Sequence, residues 1–286
     1  MWILFAFGSA FFAGITAILA KCGIRNTNSN VATAIRTVIV FIFSWIMVGI
    51  AGSWKDIGQI SSTTFIFLIL SGLSTGASWL FYFKALQIGN INKVAAVDKT
   101  SVVLTIILSF IFFQEPINLY KIIGILGITI GTYMMLEKKE SNVEEKGNRW
   151  FLYAILSVIF ASMTTILGKI GITDIESNLG TAIRTSVVLI MAWMIVFITN
   201  NQNTLKHIPK REYIFLCLSG LATGCSWLCF YRALQIGPAS LVTPIDKLSI
   251  VVTVVFSHLV LHEKVAKKAW IGLFFIVSGT LLMLFY

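Results

Sequence analysis

The chain has 286 residues, 57% of them apolar and only 12% charged, with 22 Lys plus Arg against 12 Asp plus Glu and a net charge of +10. A soluble domain carries about 25% charged residues, so this chain has too little charge to cover a water-facing surface, whereas hydrocarbon would solvate its apolar excess. That balance argues against a soluble enzyme and excludes a disordered chain or a disulfide scaffold, and the 21 glycines lack a collagen-like triplet period.

The first apolar stretch, 2–21, has no basic leader and no small-residue cleavage signal, so it reads as a retained span rather than a signal peptide. Further stretches of about twenty residues, enough to cross hydrocarbon as a helix, follow at 31–51, 65–86, 94–113 and 119–136. Next comes the one strongly charged segment, 138–149, which reads as a short solvated linker. The remaining stretches run at 150–169, 179–199, 213–234, 241–261 and 269–286. The predicted fold class is therefore an all-α integral membrane protein, with ten transmembrane helices as two five-helix repeats, 1–137 and 150–286.

The repeat is written in the residues themselves. Shifted by 148 positions, 2–138 aligns with 150–286 without a gap and about 41% of positions are identical. Thr33-Ala-Ile-Arg-Thr37 matches Thr181-Ala-Ile-Arg-Thr185, Ala85-Leu-Gln-Ile-Gly89 matches Ala233-Leu-Gln-Ile-Gly237, and Asp98-Lys99 matches Asp246-Lys247. Five spans per unit is an odd number, so the second copy would enter from the opposite side and the repeats would be inverted, the architecture that permits alternating access. Most Lys and Arg fall in odd-numbered loops, while even-numbered loops hold Lys55, Lys121, Lys169 and Arg232. Counted this way, the odd loops are cytoplasmic and both termini lie outside.

Ionisable groups inside apolar spans need a partner, a wet cavity or a function. Asp98, Lys99, Asp246 and Lys247 fall near the start of the fourth and ninth spans, and Arg36 and Arg184 early in the second and seventh. Related by a pseudo-two-fold axis, they would face a common centre, the Asp holding an ammonium or a proton and the cations a carboxylate or phosphate. A structural role competes: Asp98 and Asp246 would cap the N-termini of their helices. Trp79 and Trp227 lie mid-span, where a pocket wall or simple packing would use them. Tyr82 and Tyr231 lie nearby out of register, so a site they lined would be asymmetric. Glu115 and Glu263 read as caps of the helix that follows each, and His258 with His262 makes a weak metal pair. Cys22, Cys217, Cys225 and Cys229 form no CxxC pair and read as small hydrophobes. Gly124, Gly127, Gly131, Gly272 and Gly279 would let the fifth and tenth spans pack closely. There is no GxxxxGK[ST] loop, so the driving force would be a gradient rather than ATP.

The doubled unit, with Ala85-Leu-Gln-Ile-Gly89 ahead of Val97-Asp-Lys-Thr-Ser101, its counterpart Ile245-Asp-Lys-Leu-Ser249 and a Glu closing the fourth span, resembles the EamA family of the drug/metabolite transporter superfamily. The resemblance covers nearly the whole chain. It implies a ten-helix basket whose central cavity is lined by the first four helices of each half, with Trp79, Asp98, Trp227 and Asp246 on the wall, exporting amino acids or other small metabolites. It also implies cytoplasmic termini, the reverse of the charge count. The resulting expectation is a gradient-driven secondary transporter rather than an enzyme. It would move amino acids or related compounds outward through a bacterial cytoplasmic membrane, without cofactor, metal or nucleic acid. The expected partners are a small-molecule substrate, the lipid bilayer and a coupling proton or counter-substrate, for a monomer or homodimer. Two alternatives stay open. One is uptake or exchange of organic cations or phosphate esters, with Arg36, Arg184, Lys99 and Lys247 clamping an anion in the latter case. The other is a non-transporting membrane scaffold.

Overall fold

A computed structural model describes residues 1–23, 27–88, 91–135, 149–259 and 266–285, and among these the regular structure is all helical. The helices are α1 (Trp2–Gly23), α2 (Ser29–Ala51), α3 (Ser62–Ile88), α4 (Ile91–Lys99), α5 (Ser101–Phe113) and α6 (Leu119–Met135). The second half continues with α7 (Arg149–Gly171), α8 (Ser177–Ile198), α9 (Lys210–Ile236), α10 (Ala239–Lys247), α11 (Ser249–Leu259) and α12 (Lys267–Leu282). A short 3-10 segment follows both α2 and α8.

Local chemistry sets several helix starts. The Asn28 carboxamide oxygen accepts from the Asn30 amide at 2.9 Å ahead of α2, and Glu176 accepts from the Leu179 amide at 3.1 Å ahead of α8. Gly52, at φ 72°, ends α2 in the left-handed conformation that only glycine adopts without strain.

The polarity of the molecule is inverted relative to a soluble globule. Leu4, Ile50, Leu126 and Phe274 point outward, while Ser9, Ser71, Ser157 and Ser219 are fully buried. Hydroxyls are tolerated inside the apolar helices because many donate to the carbonyl one turn back, as Thr37 does to Thr33 at 2.8 Å and Thr181 to Ser177 at 2.8 Å. Seven segments are long and apolar enough to cross a bilayer: α1, α2, α3, α7, α8, α9 and the 18 residues Ala239–Phe256 shared by α10 and α11. This is a multi-pass membrane protein.

The other three predicted spans are shorter or interrupted. Helix α6 has 17 residues and α12 has 16, about 25 Å at 1.5 Å per residue against a hydrocarbon core of about 30 Å. The fourth span divides between α4 and α5 at Thr100, as the ninth does between α10 and α11 at Leu248. At each break the backbone tightens into an i to i+3 bond, Thr100 amide to Val97 carbonyl and Leu248 amide to Ile245 carbonyl, both 2.9 Å. Pro244 lies in α10 only, and Ala96 takes its place in α4, so proline is not the common cause.

Packing crosses the repeat boundary. Helix α1 lies along α9 and α3 along α7, while α2 meets α8 between them, a pattern that maps onto itself when the repeats are exchanged. Helix α6 pairs with α12 through glycine. A methyl group at Gly272 would lie 2.6 Å from the Gly131 carbonyl oxygen, and one at Gly279 would lie 2.8 Å from that of Gly124. Gly272→Ala should therefore cost roughly 1–3 kcal/mol, read as a lower unfolding temperature in detergent. Gly58→Ala, whose added carbon meets nothing within 4 Å, should not show that loss.

Candidate functional site

The seam between the halves holds an open cavity of about 390 Å³. Helices α1, α2 and α3 supply Thr16, Arg36, Thr75, Ser78 and Trp79 to its wall. Helices α7 to α10 supply Thr164, Thr165, Arg184, Thr223, Ser226, Trp227, Tyr231, Asp246 and Lys247. Six of the eight sequence-predicted site residues thus meet in one space: Arg36, Arg184, Trp79, Trp227, Asp246 and Lys247.

Small hydroxylic residues hold the walls together. Ser71 donates to the Thr164 carbonyl at 2.7 Å, and Ser219 donates to the Thr16 carbonyl at 3.1 Å, its repeat-related equivalent. The hydroxyls of Thr75 and Thr164 lie 3.2 Å apart, those of Thr223 and Thr16 3.3 Å. These contacts tie α3 to α7 and α1 to α9 while leaving short side chains on the wall, which is what keeps space open.

On this symmetric frame the charged groups are arranged asymmetrically. Arg184 is 3% exposed. Its Nε donates to Ser71 Oγ at 3.0 Å, its Nη2 donates to Thr75 Oγ1 at 2.6 Å, and its guanidinium lies 5.0 Å from the Trp227 ring centroid and 4.8 Å from that of Tyr231. Arg36 has the equivalent hydroxyls, Ser219 and Thr223, available on α9, yet makes no hydrogen bond, ion pair or ring contact with the described residues.

The two Asp-Lys pairs differ in the same way. The Asp246 carboxylate accepts from Ser9 Oγ at 2.6 Å, and its other oxygen lies 3.8 Å from Lys247 Nζ. Asp98 is 3.9 Å from Lys99 but lies outside the central cavity lining, although the sequence reading aimed it there. Ser157, the counterpart of Ser9, bonds instead to the Ser78 carbonyl at 3.1 Å. Lys99 reaches a neighbouring cavity of about 310 Å³, which it shares with Lys247. The expected capping role of these aspartates is also corrected. Because the spans break, Asp98 and Asp246 end α4 and α10 rather than start them, and the adjacent lysines are the residues that suit a helix C-terminus.

Glu115 does cap a helix, but one in the other half. Its two oxygens accept from the Ala239 amide at 2.8 Å and the Ser240 amide at 3.0 Å, the first amides of α10. Lys169 Nζ lies 3.2 Å from the same carboxylate, donates to the Gly237 carbonyl at 2.8 Å and sits 4.7 Å from the Phe113 ring centroid. Glu263 and His262 lie outside the described residues. His258 meets the Trp270 ring edge-on at 5.8 Å.

Sequence reasoning passed over Ser9, Ser71 and Thr75 as site residues. The hydroxyls carried a readable signal, since each is matched in the other repeat by Ser157, Ser219 and Thr223. Tyr231, whose counterpart is Phe83, was weighed as a residue that would make a site asymmetric, and it lines the cavity against Arg184.

A bundle of lipid-facing helices around a polar chamber, with unneutralised arginine at its seam, is the build of a membrane transporter. The model of the EamA-like transporter family matches residues 1–137 and 148–285, and the chain belongs to that family. An uncharacterized transporter of Sinorhizobium sp is 45% identical over 134 residues, 47% of this chain and 95% of the relative. One from Methanothermobacter thermautotrophicus is 24% identical over 276 residues, 88% of this chain and 77% of the relative. A solved crystal structure superposes with a TM-score of 0.79 over 98% of this chain and 96% of its own, at 14% identity, which supports the fold alone.

Proposed function

We propose that the chain is a gradient-driven secondary transporter that exports amino acids or related small polar metabolites across a bacterial cytoplasmic membrane by alternating access. In this reading ten spans form two inverted five-helix repeats, with α4 and α5 counted as one broken span and α10 and α11 as another. Broken spans are where secondary transporters commonly form their binding sites. The observation that carries the reading is the cavity itself, lined from both repeats by cations, a carboxylate, hydroxyls and two tryptophans. Its volume of about 390 Å³ lies near the lower end of the range of about 300–1,000 Å³ for small-molecule pockets, so the cargo is small.

Alternation draws support from the asymmetry. Arg184 is docked on Ser71 and Thr75 while Arg36 leaves Ser219 and Thr223 unused by it. Exchanging the conformations of the two halves would dock Arg36 and free Arg184, and the cavity would then open toward the opposite side. Asp246 would hold the substrate ammonium and an arginine its carboxylate.

Flux of radiolabelled amino acids through proteoliposomes of the purified chain tests the function, and flux no faster than in protein-free vesicles would sink it. Cysteine labelling from each face tests the inversion. Single cysteines at Gly58 and at Lys206, which follow α2 and α8, should label from opposite faces, and labelling from one face would remove the two-fold mechanism.

A further inference from the structure

Arg184 is a cation buried in the membrane with no carboxylate within 4 Å among the described residues. Three of its surfaces are taken: Nε by Ser71, Nη2 by Thr75, and the guanidinium plane by Trp227 and Tyr231. Its Nη1 is buried and has no hydrogen-bond partner. A guanidinium offers its donors in a rigid fork, so an empty position on a fixed arginine is a directional vacancy for an acceptor.

The surroundings favour a charged acceptor over a neutral one. Three cations line the cavity, Arg36, Arg184 and Lys247, against one carboxylate, Asp246, which is already engaged by Ser9 and Lys247. Arg36 contributes a second fork with every donor uncommitted among the described residues. Buried cations without counter-charge are costly, and an anion arriving from solution would relieve that cost.

We infer that the cavity seats its substrate by an oxyanion, a carboxylate or a phosphate, with Arg184 Nη1 as the fixed donor and the uncommitted Arg36 guanidinium as the closing one. This rests on the transporter reading and narrows it: the cargo is selected by its anionic end, and solutes that are only cationic are rejected by the surplus positive charge. The fixed arginine supplies direction and the uncommitted one adapts to the length of the cargo. Because the two are repeat-related, their roles would interchange when the halves exchange conformations.

The test is thermal unfolding of the full chain in detergent with L-glutamate, succinate and glycerol 3-phosphate, against putrescine and choline, with sodium chloride matching ionic strength. A bound solute raises the unfolding temperature saturably. An anionic probe is expected to do so and the cationic probes are not, and comparison of the carboxylate and phosphate arms identifies which oxyanion is read. Arg184→Lys should weaken that binding by roughly tenfold or more. Arg36→Gln should weaken it comparably, and since Arg36 has no partner to lose among the described residues, its variant keeps the fold and carries the test if Arg184→Lys does not. Stabilisation by putrescine or choline alone, no saturable shift from any anionic probe, or undiminished anion binding by Arg36→Gln would each overturn the inference. Proteoliposome flux separates it from the transporter reading. Cation-selective flux would leave transport standing without the oxyanion seat, and an anion that binds but never crosses would do the reverse.

Discussion

Asp246→Asn is expected to reduce amino-acid flux by roughly tenfold to a hundredfold, the worth of a charge-assisted hydrogen bond in a desolvated site, while Asp98→Asn changes it by less than about fivefold. The sequence treats the two aspartates as equals, since each lies in a matched Asp-Lys pair. The structure separates them. Asp246 lines the cavity and is oriented by Ser9, whereas Asp98 stays beside the half-exposed Lys99, in a pair of the weak kind usually worth about 0–1 kcal/mol. Ser9→Ala should produce a milder form of the Asp246 defect, because it removes the group that aims the carboxylate. Equal losses from Asp98→Asn and Asp246→Asn, measured as initial rates in proteoliposomes, would show that this asymmetry does not govern transport.

The second large effect belongs to stability. Glu115→Ala should lower the unfolding free energy by roughly 3–5 kcal/mol, the usual consequence of removing one partner from a buried ion pair. Two costs combine: Lys169 is left charged in apolar surroundings, and the Ala239 and Ser240 amides lose their acceptor. Glu115→Gln keeps an acceptor for the amides and should lose less. The informative variant is Glu115→Gln with Lys169→Met, in which no charge is stranded, and it should recover much of the loss of the alanine variant. A double variant as unstable as Glu115→Ala would mean that the pair's contribution lies in packing rather than charge. Detergent unfolding curves of the four proteins close the comparison.

This pair also shows where local reasoning went astray. A glutamate just ahead of an apolar stretch reads as the cap of that stretch, because helix N-termini present free amides within one turn. The residue type and the capping chemistry were right, but the helix was not. Chain proximity favours α6, whereas the fold brings the N-terminus of α10 to Glu115, 124 residues away. The same limit applied to Asp98 and Asp246, whose place at the end of a short helix depends on a break at Thr100 and Leu248 that the span-length apolar stretches do not reveal.

What the residues alone determined was the solvent and the duplication. Scarce charge and long apolar stretches select a bilayer whatever the packing, because hydrocarbon accepts apolar surface and demands closed backbone hydrogen bonds. The shift of 148 positions declares two equivalent units, and the few ionisable groups inside them mark Arg36, Arg184, Asp98, Lys99, Asp246 and Lys247 alike as worth their desolvation cost. Only the tertiary structure decided which of these groups share a cavity and which are spent on each other. Equivalent sequences specify equivalent local environments. Two copies packed around one chamber can nevertheless occupy different states, and the docking of Arg184 beside the uncommitted Arg36 is a property of that packing rather than of either repeat.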